Sequence, residues 1–269
     1  MDLSSYRASP AEQARIRDLF ELIPQQGERA LDIGARDGYM ARLLADRFQE
    51  VVALDLEQPK IDHPRVLAVK GNAANLEFPD RFFDVVLCAE VLEHIPPEIL
   101  PEVCRQIYRV SRGVIVIGVP YRQDLRCGRT TCSSCGWKNP PWGHVNSFDE
   151  YRLRSLFPLA SVGPIGFVGT TRAQTNSLST ALLDFAGNPY GTWDQEEACV
   201  RCGATIGKPR ERNLLQKIAT RLAMKLNELQ SRFTLPRANW IHMVFVVAQG
   251  SSEQLAAQGF PSGRNSIEL

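Results

Sequence analysis

The chain has no uninterrupted apolar run near the roughly 20 residues that a membrane-spanning helix needs. Its start, Met1-Asp2-Leu3-Ser4-Ser5, is polar and has no apolar stretch of the secretory type, so neither a leader nor a membrane span is expected. Charge of one sign is also missing. Lys and Arg number 31 against 30 Asp and Glu, for a net charge of +1, which argues against a nucleic-acid binder or an enzyme built for acidic polymers. No internal repeat is visible. The seven cysteines are an odd number in a chain with no export signal. They read as reduced thiols and metal ligands of a cytoplasmic protein and not as a disulfide framework.

Hydrophobic periodicity then supplies the organisation. Helical spacing of Ile16, Leu19, Phe20 and Ile23 predicts a helix from about Ser9 to Ile23, with Pro10 in its first turn. Apolar runs at 29–33, 51–56, 66–70, 83–89 and 113–119 read as strands, and 39–48 and 97–110 as helices. Strands that alternate with helices predict βαβ units and an α/β fold with a mainly parallel sheet. The pattern changes after Tyr121. Residues 123–146 form a loop rich in Cys, Gly, Pro and Trp, and Ser147-Phe-Asp-Glu150 reads as a capping box opening a helix to about Leu156. Strands are expected at 162–168 and 241–248. Between them lies an insertion with one amphipathic helix, about 211–230, striped by Leu215, Ile218, Leu222, Leu226 and Leu229. The division expected is a core over 1–122, a knuckle loop over 123–146, more core over 147–169, an insertion over 170–239, a last core strand over 240–250 and a flexible tail over 251–269.

Two runs, Cys132-Ser-Ser-Cys135-Gly136 and Cys199-Val-Arg-Cys202-Gly203, have the knuckle spacing that turns two thiolates toward one ion. Together Cys132, Cys135, Cys199 and Cys202 offer the four sulfurs of a closed, structural Zn2+ site, which leaves no open position for catalysis. An alternative set, Cys127, Cys132, Cys135 and His144, leaves Cys199 and Cys202 unexplained.

The first strand and turn read Asp32-Ile33-Gly34-Ala35-Arg36-Asp37-Gly38. A dinucleotide fingerprint begun at Gly34 would place its other glycines at Arg36 and Tyr39, so that reading fails at both. What remains is D-x-G-x-x-x-G, with Asp55 at the second strand's end, where an acid can bind ribose hydroxyls. Phe83-Asp84-Val85-Val86-Leu87-Cys88-Ala89-Glu90-Val91-Leu92-Glu93-His94 completes the set. On these residues the chain resembles the class I S-adenosylmethionine-dependent methyltransferases, in the branch with a Leu-Glu-His motif, over about 28–120 and again near 240–249. The resemblance implies a Rossmann-like, seven-stranded, mainly parallel sheet flanked by helices, here with a zinc-stapled insertion. It also implies S-adenosyl-L-methionine as cofactor. Asp32, Gly34 and Gly38 would line its methionine end, Asp55 would take the ribose, Asn72 and Ala73 the adenine, and Glu90 would sit beside the amino-acid moiety. Arg36 and Asn72 depart from the family's usual Gly and Asp. Methyltransferases of bacterial polysaccharide and natural-product clusters are similar in carrying a Cys-x-x-Cys loop followed by a Gly-His pair, here Gly143-His144.

Transfer to an acceptor hydroxyl calls for a base, and His94 and His144 are the candidates, each with a purely structural role as the alternative. The activity expected is O-methylation of a sugar or other small natural-product acceptor. Two alternatives stand beside it: an RNA-base methyltransferase with a zinc element, and a non-catalytic cofactor-binding scaffold. Lys208, Arg210, Arg212, Lys217, Arg221, Lys225, Arg232 and Arg237 lie in or beside the helix near 211–230. Peripheral membrane contact and a homodimer are therefore left open for it, while the near-neutral total charge disfavours nucleic acid.

Overall fold

The structure, a computed structural model, describes residues 7–247. The expected tail at 251–269 and the end of the strand expected to reach residue 248 lie outside those residues. The described chain divides into two compact units. The first comprises the described residues up to Tyr121, Phe148–Gly169 and those from Ala238 on; the second comprises Arg122–Ser147 and Thr170–Arg237.

Unit 1 is a Rossmann-like sheet. In chain order its elements are α1 (Pro10–Leu22), β1 (Gly27–Ile33), α2 (Tyr39–Leu44), β2 (Phe48–Asp55), β3 (Val66–Lys70), β4 (Phe83–Ala89), α3 (Leu100–Val110) and β5 (Ser111–Pro120). Unit 2 then supplies the short strands β6 (Thr130–Thr131) and β7 (Lys138–Asn139). Unit 1 resumes with α4 (Glu150–Leu156) and β8 (Ala160–Val168), unit 2 adds α5 (Ser177–Phe185) and α6 (Leu214–Phe233), and β9 (Trp240–Val247) closes unit 1. The seven strands run in the order β3-β2-β1-β4-β5-β9-β8, parallel from β3 through β5, with β9 antiparallel to both its neighbours.

Residues of period two feed opposite faces of this sheet. Leu31, Ile33, Val86, Cys88, Ile115 and Ile117 enter one buried cluster with α3 and α4. Ala30, Val85, Leu87, Val114 and Val116 enter another with α1 and α2. Continuous apolar strands are what a parallel sheet covered on both faces requires. On α3, Leu100, Val103, Cys104, Ile107 and Val110 are buried at helical spacing, and burial pushes the Cys104 thiol up to about 12. Ser9 caps α1 by accepting from the Glu12 N–H, with Pro10 at the first turn. The cap of α4 is Asp149 and not the expected Ser147: the Asp149 carboxylate accepts from the Arg152 N–H at 2.9 Å. The helix expected over 39–48 stops at Leu44, because Phe48 already belongs to β2.

Unit 2 holds two elements that periodicity did not indicate, the β6–β7 hairpin and α5. Its long helix α6 starts at an Asn213 capping box and packs on α5. The leucine stripe read in the sequence is turned outward. Leu215, Ile218, Leu222 and Leu229 are exposed, and the buried residues are Ala219, Thr220 and Ala223. Small side chains permit the close approach to α5, so the leucines lie elsewhere on the helix. No helix among the described residues is long and apolar enough to cross a membrane.

Candidate functional site

In unit 1 the residues singled out in the sequence gather at the carboxyl ends of β1, β2 and β4, the edge where open α/β sheets bind ligands. The turn after β1 is built on positive φ. Gly34 (φ 78°), Arg36 (φ 47°) and Gly38 (φ 77°) all adopt it, and the Gly34 and Ala35 N–H groups donate to the Leu54 carbonyl at 2.8 and 3.1 Å. A Cβ on Gly34 would lie 2.3 Å from Val91 Cγ2, and one on Gly38 would lie 2.2 Å from Ile61 Cδ1. Both glycines are therefore demanded by backbone conformation and by the chain's own packing, before any ligand is considered. The turn is locked from β2, where the Asp55 carboxylate accepts from the Arg36 N–H at 2.8 Å.

Three carboxylates here are electrostatically unusual. Asp32 is 3% exposed, and one of its oxygens has no hydrogen-bond partner. Burial, with Asp55 and Asp37 nearby, raises its pKa to about 7, against the opposing pull of the Ala41 N–H. Glu90 has a positive φ of 57°. It accepts from Trp240 Nε1 at 3.3 Å and stands 3.8 Å from the Arg15 guanidinium, yet burial still raises its pKa and one oxygen is unpartnered. Glu93 is fully buried with neither side-chain oxygen partnered, and burial, then Glu90, raises it well above the carboxylate range. Unpartnered buried carboxylate oxygens are costly and rare. Those of Asp32 and Glu90 fit a cofactor with cationic and hydrogen-bond-donating groups. Asn72 forms a local turn, its Oδ1 accepting from the Ala74 N–H at 2.9 Å, beside the buried Ala73. Burial, then Arg36, lowers the His94 imidazole to about 4, so it is neutral at pH 7. Glu93 was not singled out in sequence. It sits within the Leu92-Glu93-His94 run, but only the fold shows it to be buried.

In unit 2 the four expected thiols converge. Cys132, Cys135, Cys199 and Cys202 place all their sulfurs within 4.8 Å of one another, with Cys132 to Cys202 and Cys135 to Cys199 each at 3.7 Å. A tetrahedron of Zn–S bonds near 2.3 Å has sulfurs about 3.8 Å apart, so this donor set fits a tetrahedral ion. The N–H of Cys135, then of Ser134, draws the Cys132 thiol down to about 6. Burial pushes Cys199 up, but the Arg201 and Cys202 N–H groups win and lower it. Cys127 and His144, the alternative ligands, are not among these four converging groups. Cys127 is held protonated, pushed to about 11 by burial and then Asp124. His144 is buried, with Nδ1 2.6 Å from Gln123 Oε1.

With this geometry in view, comparison with known proteins gives a consistent picture. Residues 31–117 match the family described as "Methyltransferase domain". Over 112 residues the chain is 34% identical to a "Probable S-adenosylmethionine-dependent methyltransferase" of Mycolicibacterium smegmatis, covering 39% of this chain and 43% of that one. Over 100 residues it is 26% identical to a ubiquinone biosynthesis O-methyltransferase of Paracidovorax citrulli, covering 33% and 42%. The chain thus spans about two fifths of the length of these curated relatives. Among solved structures the [4+2]-cyclase SpnF shares the fold at a TM-score of 0.54 and 17% identity, over 90% of this chain and 84% of that one. Over residues 31–117 the chain is thus similar to methyltransferase domains, and the solved structures share its fold.

Proposed function

We propose that the chain transfers a methyl group from S-adenosylmethionine to an oxygen of a sugar or other small acceptor, with a structural zinc holding unit 2. The observation that carries this reading is the clustering of Asp32, Asp55 and Glu90 at the carboxyl ends of β1, β2 and β4, in the segment matched to methyltransferase domains. When bound, the cofactor supplies an electrophilic methyl on a sulfonium sulfur. The protein's part is alignment, exclusion of water and removal of the acceptor's proton.

Each residue then has a task. Asp55 accepts from ribose hydroxyls, and its bond to the Arg36 N–H fixes the carboxylate for that role. Asp32 and Glu90 hold the methionine end. Asp32 ionises fully when a cationic group arrives to offset its burial. Gly34 and Gly38 keep the turn in the positive-φ shape that carries Asp32 and Asp55, and Asn72 and Ala73 edge the adenine. Glu93 is buried in the segment after β4. His94 and His144 remain the two candidate bases. The pKa of His94 near 4 makes it a weak proton acceptor at neutral pH. The O-methyltransferase relative supports oxygen as the acceptor atom. The four thiolates of unit 2 leave zinc no open position, so its role is structural, as expected of methyltransferases with such knuckle loops.

A labelled-methyl transfer screen over glycans, small metabolites and RNA tests the reading. Label in a sugar or small-molecule fraction supports it. Label in RNA, with salt-dependent RNA binding, favours the RNA-base alternative, and cofactor binding without any transfer favours the scaffold. Turnover of His94→Ala and His144→Ala at saturating cofactor tests the bases; near-wild-type rates for both remove them.

A further inference from the structure

The long helix α6 of unit 2 divides its surface into three strips. At about 100° per residue, Ala219, Thr220 and Ala223 point to one side, and these are its buried residues. On the outward side Leu214, Leu215, Ile218, Leu222, Leu229 and Phe233 fall within an arc of about 100°. These six are 49–81% exposed. The third strip is basic. Lys217, Arg221 and Lys225 follow one another at four-residue intervals beside the apolar arc, and Arg232 extends the row by about two turns. All four are exposed.

The 20 residues of α6 make a helix about 30 Å long, so the apolar strip is a continuous feature and not a scatter of single side chains. Scattered leucines on a water-facing surface need no explanation, whereas a contiguous apolar patch marks an interaction site. Packing inside unit 2 does not use this strip, because the contact with α5 is made by the small residues on the other side.

Charge decides among the possible occupants. Over 208–232 seven basic residues meet only Glu211 and Glu228, and Glu228 pairs with Arg232 at 2.8 Å. The whole chain carries only +1, so the excess is local to this stretch. A second copy of the chain would bring an equal positive excess against this one, which like-charge repulsion opposes. Nucleic acid would satisfy the basic row and leave the leucines in water. Five charged residues among the 20 of α6 also keep it from spanning a bilayer.

We propose that α6 is a membrane-contact helix that seats unit 2 on an anionic phospholipid surface, with the helix axis in the membrane plane. Such a surface satisfies both outward strips at once. The apolar strip enters the boundary between headgroups and acyl chains, about 5–10 Å deep, while the basic strip stays among the anionic headgroups. The aliphatic stems of Lys217, Arg221 and Lys225 widen the apolar strip, and their charged ends reach back to the headgroups. This surface does not depend on the methyl-transfer reading, and its test uses no cofactor.

Co-sedimentation of the purified full chain with vesicles is the test, using phosphatidylcholine alone and phosphatidylcholine mixed with phosphatidylglycerol. The anionic vesicles should be bound at least about tenfold more tightly than the neutral ones, and binding should weaken as salt is raised. The double variant Leu222→Gln, Leu229→Gln and, separately, Arg221→Glu, Lys225→Glu should each weaken it by about tenfold or more. Far-UV circular dichroism should be unchanged in both. Arg105→Gln, at an exposed position of α3 in unit 1, should leave binding unchanged. Equal binding to neutral and anionic vesicles, no binding to either, or undiminished binding in both double variants would each overturn the assignment. A dimer in sedimentation equilibrium that the leucine variant dissolves would give the face to a second copy instead.

Discussion

The two units of this chain are held together by different physics. Both large buried apolar clusters lie wholly within unit 1, one on each face of its sheet. Among its described residues unit 2 buries little of that kind: Cys132, Cys199, Ala186, Ile206, Ala219 and Ala223. Its interior is polar, with Thr130, Asn139, Asn146, Thr175, Ser179, Thr180 and Asn188 buried and linked by bonds such as Asn188 Nδ2 to Thr131 Oγ1 at 3.1 Å. Leu214, Leu215, Leu229, Phe233 and Leu235 stay exposed. Unit 1 is stabilised by removing apolar surface from water. Unit 2 is poor in such surface, and the ion proposed for its four converging thiols would act as its core.

The largest test of this contrast is removal of the metal. Chelation, or Cys199→Ser, should release unit 2, because structural zinc sites carry apparent binding energies of about 10–16 kcal/mol. Limited proteolysis should then cut within 122–147 and 170–237 while unit 1 keeps its sheet signal. Metal analysis of the untreated protein should return one zinc per chain. A chelated protein with unchanged proteolysis would remove the contrast.

Next in size is the apolar core. Phe245 is fully buried and packs on Phe157 with ring centroids 4.6 Å apart, so Phe245→Ala should cost about 3–5 kcal/mol in chemical denaturation. Leu229→Ala, on the exposed side of α6, should stay within about 0.5 kcal/mol. Equal costs would mean that the outward leucines of unit 2 are covered in solution.

Ionisation gives a third, smaller effect, confined to unit 1. The folded pKa of Asp32, about 7, lies above its ordinary value of 3.8. The folded state therefore holds the proton more tightly, and the stability from Asp32 is full below about pH 4 and lost as pH rises through 7. Relative to Asp32→Asn, the cofactor-free protein should lose up to a few kcal/mol between pH 4 and 7, measured by denaturant midpoints. Parallel pH profiles for the two proteins would show that Asp32 is not desolvated.

Much of unit 1 was legible because its signals are local. Apolar runs of strand length, glycines at turns and acids at strand ends need no knowledge of distant residues, and the sheet, the Gly34 turn and the position of Asp55 emerged from them. The four thiols were legible through their knuckle spacing. Unit 2 otherwise resisted reading. The residues of α5, Ser177–Phe185, put Leu178, Ala181, Leu182 and Phe185 at helical spacing, but over only nine positions the stripe is too short to stand out. The leucine stripe of α6 was legible, but periodicity cannot say which side of a helix meets a neighbour. Arg237 lies more than a hundred residues of sequence from Arg122 and Arg126, and only folding brings it to a cavity of unit 2 that they line. The burial of Glu93 likewise depends on packing that no motif encodes.

The most direct test of the central claim is calorimetric titration of the purified chain with S-adenosylmethionine. The account predicts one site per chain, weakened about tenfold or more by Asp55→Ala, which removes the acceptor for the ribose hydroxyls. No binding by the folded wild-type protein, or equal affinity in the variant, would contradict it.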